Sequence, residues 1–384
     1  MRLTLILGLT LTLNLSAQST DTVRICSYNL LKFAQSNEDG RIPMFARILD
    51  TIRPDVMICA EVADATVGPR FVSEVMKWGP YAATPYYEGN DTKIMVLYNQ
   101  EMFRLVGTNR IPTELRDIFE TTLEHLDAQG RPDDTLIVYG VHLKASSSSS
   151  DEQQRTREVA ALTARMTSRR HVVIGGDYNV YRPDEPALQA LIGPNAKRRF
   201  VDPLGSNWRR NDVAFASYYT QCTRATMISG CGGGVDGGID DRFDFILASA
   251  EFSPRVLTST YTAFGNDGAV RFNKSINDPP NQKVSADIAA ALLCASDHLP
   301  IYVDVVLGDV PASVDGTDAP SWWTCDGHTI TIAPGTADVS VYSSQGRRVA
   351  FLPTSNTTQR VDDLPTGMYI LQQHQLNAKA VIVR

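Results

Sequence analysis

Polar residues with chemical capacity stand at the ends of apolar runs along this sequence. Asn29 follows Val23-Arg24-Ile25-Cys26-Ser27-Tyr28, and Glu61 follows Asp55-Val56-Met57-Ile58-Cys59-Ala60. His142 closes Val138-Tyr139-Gly140-Val141, and Asp177 and Asn179 follow Val172-Val173-Ile174-Gly175-Gly176. Asp244 lies in Arg242-Phe243-Asp244-Phe245-Ile246-Leu247, and Asp297 with His298 lies in Ser296-Asp297-His298-Leu299-Pro300. Strand ends are where loops carry functional groups over a rigid sheet. Carboxylates and amides are oxygen donors that suit Mg²⁺, which is held by one or two carboxylates and keeps several waters. An aspartate beside a histidine fixes the imidazole tautomer and favours the imidazolium, which suits an anionic partner. Taken singly, each has an ordinary explanation. Asn29 and Gly176-Asp177-Tyr178-Asn179 read as turns, Glu61 as a solvated strand end, and His298 as a satisfied core histidine. Asp244 resists that treatment, because a carboxylate between two phenylalanines needs a partner.

The elements that must position these residues are legible as periodicities. Strands are expected over residues 23–28, 55–60, 93–99, 135–143, 171–176, 244–248 and 301–307. Helices are expected near residues 43–51, with Ile42, Phe45, Ile48, Leu49 and Ile52 on one face, and over 152–169, with Val159, Leu162 and Met166 on one face. Strands and helices mixed through residues 22–308 imply an α/β domain. Residues 309–320 hold two Pro, one Gly and three Asp and read as a linker. Short alternating runs follow over 328–333, 337–343, 348–352, 367–372 and 378–383, which is the pattern of a small all-β module in residues 321–384. The serine tract 146–150 reads as a flexible loop.

The six motifs, in this order and each at a strand end, resemble the endonuclease/exonuclease/phosphatase superfamily, the DNase-I-like phosphoesterases, across residues 22–308. The likeness is greatest to secreted bacterial members, which also carry a His-Leu-Lys-Ala run, a serine-rich loop and a Gly-rich stretch before Asp-Arg-Phe-Asp. The resemblance implies a four-layer α/β/β/α sandwich of two mixed sheets, with the site at one edge. It implies that Glu61 and Asn29 hold Mg²⁺, or Mn²⁺ or Ca²⁺ in its place, and that Asp297 joins them or holds a second ion. Asp177 would position or deprotonate water, and Asn179 would orient Asp177 and the phosphate. His298, held by Asp244, and His142 would contact the phosphate. Arg157 is a further substrate-binding candidate. Two positions depart from the family pattern: Ala60 stands where Gln is frequent, and Tyr178 where Phe is usual. The expected activity is phosphodiester hydrolysis by an extracellular nuclease acting on DNA or RNA. Lipid headgroups or small phosphate esters are the alternative substrates, and a non-catalytic surface binding protein on the same fold is the alternative of another class.

Composition bounds the rest. The chain has 384 residues, a formal net charge of −7, 43% hydrophobic and 21% charged residues. That balance argues against coating nucleic acid non-specifically, which rests on Lys and Arg neutralising phosphates, yet permits an enzyme handling one phosphate at a time. Arg2, the apolar run 3–15 and Ser16-Ala17 read as a signal peptide over residues 1–17, and no other stretch is long enough to span a membrane. Export permits disulfides. Of six cysteines, Cys222 and Cys231 are the expected pair, and Cys26 and Cys59 read as small buried hydrophobes. Arg155, Arg157 and Arg165 read as a solvated helix face. Lys197-Arg198-Arg199 and Arg209-Arg210 form a second basic cluster, read first as scattered surface charge; the alternative is a nucleic-acid track on which Trp208 could stack a base. The tail resembles the sorting domain of the type IX secretion system in Val339-Ser340-Val341-Tyr342, Leu364-Pro365-Thr366-Gly367 and the final Val381-Ile382-Val383-Arg384. By that likeness the partners are the secretion machinery and a phosphate-ester substrate. The destination is secretion or outer-surface attachment through the periplasm, and the chain is expected as a monomer.

Overall fold

The structure, a computed structural model, describes residues 20–34, 39–166 and 171–308, and within the C-terminal region 323–326, 329–334, 336, 338–343, 348–362, 364, 367–373 and 379–383. Two compact units separate at the Gly308–Asp309 junction. The expected signal peptide and linker lie outside the described residues.

The first unit, Asp21–Gly308, runs β1 (Asp21–Phe33), α1 (Ile42–Ile52), β2 (Val56–Val62), α2 (Val67–Arg70), β3 (Tyr81–Ala83), β4 (Lys93–Asn99), β5 (Phe103–Ile111), β6 (Ile118–Leu126), β7 (Pro132–His142), α3 (Ser149–Arg165), β8 (Val172–Asp177), α4 (Pro186–Ile192), β9 (Phe200–Val201), β10 (Asp244–Ser249), β11 (Val256–Ala263), α5 (Ala286–Ala295) and β12 (Ile301–Leu307). One six-stranded sheet has the order β11-β12-β1-β2-β4-β3 and the other β5-β6-β7-β8-β10-β9. Each contains one parallel pair, β1 with β2 and β7 with β8, among antiparallel neighbours.

Side-chain alternation builds four layers from these sheets. Val23 and Ile25 of β1, Val56 and Ile58 of β2, Leu136 and Val138 of β7, Val173 of β8, and Ile246 of β10 share one core between the sheets. The alternate residues face outward under helices. Cys26, Tyr28, Met57 and Cys59 pack with Phe45 and Leu49 of α1 and Leu292 of α5. Ile137, Tyr139, Ile174 and Phe245 pack with Val159 and Leu162 of α3 and Leu188 of α4. This is the expected α/β/β/α sandwich.

Local sequence explains the helix limits. In α1 the apolar residues recur at helical spacing and all five are buried, Pro43 occupies the first turn, and Arg53 ends the helix in the left-handed region with its N–H on the Leu49 carbonyl. Pro54 follows and disfavours helix at Arg53. Burial of those five side chains contributes roughly 10 kcal/mol before entropic costs. The serine tract corrects its expectation. Ser148 is the N-cap of α3, bonded reciprocally with Asp151, so Ser149 and Ser150 begin the helix. Arg155 also departs from its expectation: it is buried, binding Glu185 at 2.8 Å and the carbonyls of Lys144 and Ser146. Strands β5, β6 and β11 carry no clear alternation in the sequence: Glu120, Glu124 and His125 interrupt β6, and β5 and β11 expose Val106 and Leu257 among polar residues.

Two further expectations are corrected. Cys231 bonds Cys294, with Cα atoms 4.6 Å apart, and Cys222 is a buried thiol whose Sγ lies 3.4 Å from the Asp236 carbonyl. The pairing partner sits 63 residues away in α5 and only the fold brings it close. Trp208 is buried, stacked near Phe245 and under the Arg242 guanidinium, so its ring cannot receive a base. Arg210 is engaged by Asp241 and lies over Tyr181.

The second unit holds two small sheets. β13 (Trp323–Asp326), β14 (Thr329–Ile332) and β17 (Gln359–Val361) form one. β16 (Arg348–Leu352), β15 (Val339–Ser343), β18 (Gly367–Gln373) and β19 (Lys379–Val383) form the other, in that order. Ile330, Ile332, Val339, Val341, Leu364, Tyr369 and Leu371 form one shared core.

The sheets of the first unit approach closely where glycines admit isoleucines. A Cβ on Gly140 would lie 2.3 Å from Ile94 Cγ2, and one on Gly175 would lie 2.4 Å from Ile58 Cδ1. Gly140→Ala should therefore destabilise the fold by about 1–3 kcal/mol, as overpacking does. An unchanged denaturation midpoint would show that the sheets part freely at this level.

Candidate active site

Period-two alternation carries the chemistry-bearing residues to one edge of the gap between the sheets. His142 lies four residues beyond Val138, Asp177 four beyond Val173, and Asn29 four beyond Ile25, so all three continue the inward face at the C-terminal ends of their strands. Asp244 starts antiparallel β10 two residues before Ile246, and pairs across the ladder with Asp177. The parallel register sets His142 beside Asp177. Gly176 makes that approach possible: its φ is 144°, and a Cβ there would meet the Val141 carbonyl oxygen at 1.9 Å.

The backbone turns sharply at the functional positions. Glu61 has φ 57° and Asn179 φ 50°, and Leu31 and Lys32 after Asn29 are also left-handed. Such conformations cost about 1–2 kcal/mol for a residue with a Cβ. They persist where surrounding contacts over-determine them, as at functional sites. At Asn179 the contacts are its N–H on Asp177 Oδ1 at 3.0 Å and its side-chain amide on the Leu143 carbonyl at 3.2 Å.

The resulting cluster is tight and mostly buried. Asn29 Nδ2 donates to Glu61 Oε1 at 3.1 Å and to Asp177 Oδ2 at 3.2 Å. Asn29 Oδ1 accepts from the Leu31 N–H. His142 Nε2 lies 3.6 Å from Asp177 Oδ2 and 3.8 Å from Glu61 Oε1. His298 Nε2 lies 3.7 Å from Asp177 Oδ2, and its Nδ1 lies 2.7 Å from Asp244 Oδ2. Thr220 donates its hydroxyl to the same Asp244 oxygen at 2.6 Å. Asp297 Oδ2 accepts from the Val235 N–H at 2.9 Å and from Gln221 Nε2 at 3.3 Å.

Electrostatics separate the roles. Burial pushes Asp177 up to about 7; the charges of Asp244 and Glu61 add to this, against the pull of His298. Burial alone would lower His298, but the charge and hydrogen bond of Asp244, joined by Asp177 and Asp297, hold it well above the ordinary imidazole range. His142 moves the other way. Burial, then the charges of Arg116, His298 and Lys32, keep it neutral well below that range. A carboxyl that accepts a proton near neutrality thus faces one charged and one neutral imidazole.

The structure brings together Asn29, Glu61, His142, Asp177, Asn179, Asp244 and His298, and places Asp297 on the neighbouring Val235 and Gln221. Asn29 and Glu61, the expected metal donors, are joined by a hydrogen bond. Glu61, His142 and Asp177 offer donor atoms all within 4.8 Å of one another, while the carbonyl oxygen of Asn29 meets the Leu31 amide. Arg157 does not join: its guanidinium is bound to exposed Glu114. Arg155, not Arg157, steadies the loop beyond His142. Thr220, Gln221 and Ser296 escaped sequence reasoning. They sit in Tyr-Thr-Gln-Cys and Ala-Ser-Asp-His runs with no periodic signal, yet Gln221 Nε2 lies 2.7 Å from His298 Nε2 and Ser296 Oγ donates to the Asn29 carbonyl. At the departures from the family pattern, Ala60 is buried between the sheets and the Tyr178 hydroxyl donates to the Ile174 carbonyl.

No protein-family model matches the chain, and no curated protein matches it. Solved structures do. D. rerio TDP2 complexed with single strand DNA product aligns with a TM-score of 0.50 at 17% identity, over 74% of this chain and 98% of that one. The human Nocturnin catalytic domain with bound sulfate anion aligns at 0.47 and 15% identity, over 76% and 98%. An endonuclease/exonuclease/phosphatase family protein from Bacteroides thetaiotaomicron aligns at 0.47 and 14% identity, over 77% and 98%. The chain has the two-sheet α/β sandwich of the DNase-I-like fold.

The His298–Asp244 pair makes a signed prediction. The folded pKa of His298 exceeds the unfolded value of about 6.5, so the pair's stabilisation is fully present below that pH and is lost as pH rises through the folded value. Asp244→Asn should lower the His298 pKa and cost roughly 1.5–3 kcal/mol at pH 6. Nitrogen-detected NMR of the ring across pH checks this, and identical titrations in both proteins would remove Asp244 as the cause.

Proposed function

We propose that the first unit is a divalent-metal-dependent phosphoesterase that hydrolyses phosphodiester bonds, with nucleic acid as its substrate class. The observation that carries this reading is the meeting of Asp177, His298 and Glu61 at one buried sheet edge. They supply a proton-accepting carboxyl, a cationic imidazole and a carboxylate with Oε2 buried and without a donor. That free oxygen, and the 4.8 Å cluster it belongs to, suit a hard cation. Mg²⁺, Mn²⁺ or Ca²⁺ would be held at Glu61, with Asp177 in reach and Asn29 and Asp297 as the further oxygen donors that the family likeness implies. When bound, the cation supplies Lewis-acid polarisation of a phosphoryl oxygen and relief of charge at the leaving oxygen.

The chain's own groups do the rest. Asp177, with Oδ1 fixed by the Asn179 N–H, presents Oδ2 to take a proton from water. His298 is held charged by Asp244 and offers its Nε2 proton to a non-bridging phosphate oxygen. His142 is neutral, and its Nε2 faces Asp177 Oδ2 at 3.6 Å and Glu61 Oε1 at 3.8 Å. Support for nucleic acid comes from D. rerio TDP2, of the same fold, which holds a single strand DNA product. A second reading, lipid headgroups, is favoured by two exposed apolar residues: Val235, whose N–H meets Asp297, and Met227, whose N–H meets the neighbouring Asp236.

We extend the proposal to location: secretion or attachment at the outer surface, through the periplasm, with the C-terminal β-unit as a type IX sorting domain. The Cys231–Cys294 bridge supports an oxidising compartment. Among the described residues, no helix is long and apolar enough to cross a membrane.

The oxidised protein should hydrolyse an aryl phosphodiester with Mg²⁺, stop with chelator and resume when the ion is restored. Absence of turnover across Mg²⁺, Mn²⁺ and Ca²⁺ would favour a binding protein on this fold. Asp177→Asn should lower kcat/KM by about 10²-fold or more at unchanged stability, and a near-normal rate would remove Asp177 from the mechanism. Faster hydrolysis of phospholipid than of DNA or RNA would replace the substrate class.

A further inference from the structure

The Gly-rich loop beside Asp297 has one buried side chain. Between Arg224 and Gly238, Cys231 is the only buried residue. Six glycines lie in residues 230–238, all with φ between 76° and 129°, so the loop is built from the residues that lose most freedom on ordering. Yet this loop supplies a polar contact to the site, the Val235 N–H on Asp297 Oδ2 at 2.9 Å. Gly234 is pressed against the same carboxylate, where a Cβ would lie 2.7 Å from Oδ2.

That buried side chain leads to the other side of the contact. Cys231 is bonded to Cys294, near the end of α5, three residues before Asp297. The bridge therefore ties the loop that donates to Asp297 directly to the segment that carries Asp297 and His298. Arginines reinforce it without replacing it. Arg224 donates to the Cys231 and Gly233 carbonyls, and Arg41 lies beneath Gly232 and donates to the Ala295 carbonyl. Cys294 is only partly buried, whereas Cys26, Cys59 and Cys222 are buried.

We propose that the Cys231–Cys294 disulfide is a redox latch on the active site: the oxidised form holds Val235 against Asp297, and reduction releases the loop and switches the site to a low-activity state. Closure transfers two electrons and two protons from the two thiols to a protein or small-molecule disulfide, whose two sulfurs leave as thiols. Opening runs the exchange in reverse with a dithiol reductant. Newly made chain in a reducing compartment would be held inactive, and the latch would close on arrival where disulfides persist. The activity part of this inference rests on the phosphoesterase reading; the loop part does not.

The test uses the full chain, oxidised, reduced with dithiothreitol, and as Cys294→Ser. Amide hydrogen exchange should rise across residues 230–238 on reduction while β1, β8 and β10 stay protected. Unchanged exchange in the loop overturns the latch, whatever the activity. With an aryl phosphodiester and Mg²⁺, reduction should lower kcat/KM at least tenfold and reoxidation restore it; equal rates in both forms overturn the switch. Should the reduced protein unfold, Val235→Pro with the bridge intact decides, since it removes the N–H on Asp297 and leaves the disulfide in place. A tenfold fall supports the positioning role, and a wild-type rate overturns it. An oxidised wild-type protein without turnover refutes the phosphoesterase reading and the activity switch with it, and leaves hydrogen exchange to decide the latch.

Discussion

Holding several carboxylates at contact distance in a buried place is the constraint on which the rest of the structure depends. Asp177, Asp244 and Asp297 are buried, and Glu61 lies beside them. Like charges so placed repel strongly where water is excluded, and an uncompensated buried charge is expensive. The structure answers with one cation and a set of neutral donors. His298 sits between Asp244 and Asp177, Thr220 donates to Asp244, Asn29 donates to both Glu61 and Asp177, and Val235 and Gln221 donate to Asp297. Burial first, and then the repulsion that remains, raise Asp177, which gives it the basicity that the proposed hydrolysis would use.

Those donors need to be placed to within tenths of an ångström, and sheets do this better than loops. Two parallel pairs, one in each sheet, bring the C-terminal ends of β1, β2, β7 and β8 to the same edge. The antiparallel β10 and β12 bring their N-terminal ends there. Glycine at 140 and 175 lets the sheets close just inside that edge, and left-handed backbone at Glu61 and Asn179 turns the side chains across it.

The loops around the edge are braced by buried arginines. Arg41 holds the Leu30, Leu31 and Ala295 carbonyls, Arg155 those of Lys144 and Ser146, Arg224 those of Cys231 and Gly233, and Arg271 those of Ser275 and Pro279. A guanidinium has five N–H donors in a rigid fork, so one side chain satisfies several loop carbonyls that would otherwise be buried without partners. The basic residues of this acidic chain thus serve the frame of the site as much as its surface.

The sequence by itself determined the α/β class and the order of the site. The continuous run Val172-Val173-Ile174 reports a strand buried on both faces, and the helical spacing from Ile42 to Ile52 a helix buried on one, so burial is the physical origin of both patterns. Asn29, Glu61, His142, Asp177, Asp244 and His298 were legible because each follows or interrupts such a run. Other features depend on contacts between residues distant in sequence, and only the tertiary structure decided them. Cys231 pairs with Cys294 because α5 ends beside the glycine loop, and Cys222, nine residues away, faces a carbonyl instead. Arg155 and Trp208 are buried although their neighbours in sequence are polar, because Glu185 at the start of α4 meets Arg155 and Phe245 of β10 meets Trp208. The metal-donor grouping followed the same rule. Distance in the folded chain placed His142 with Glu61 and Asp177, and no local pattern encodes a distance between strands from different sheets.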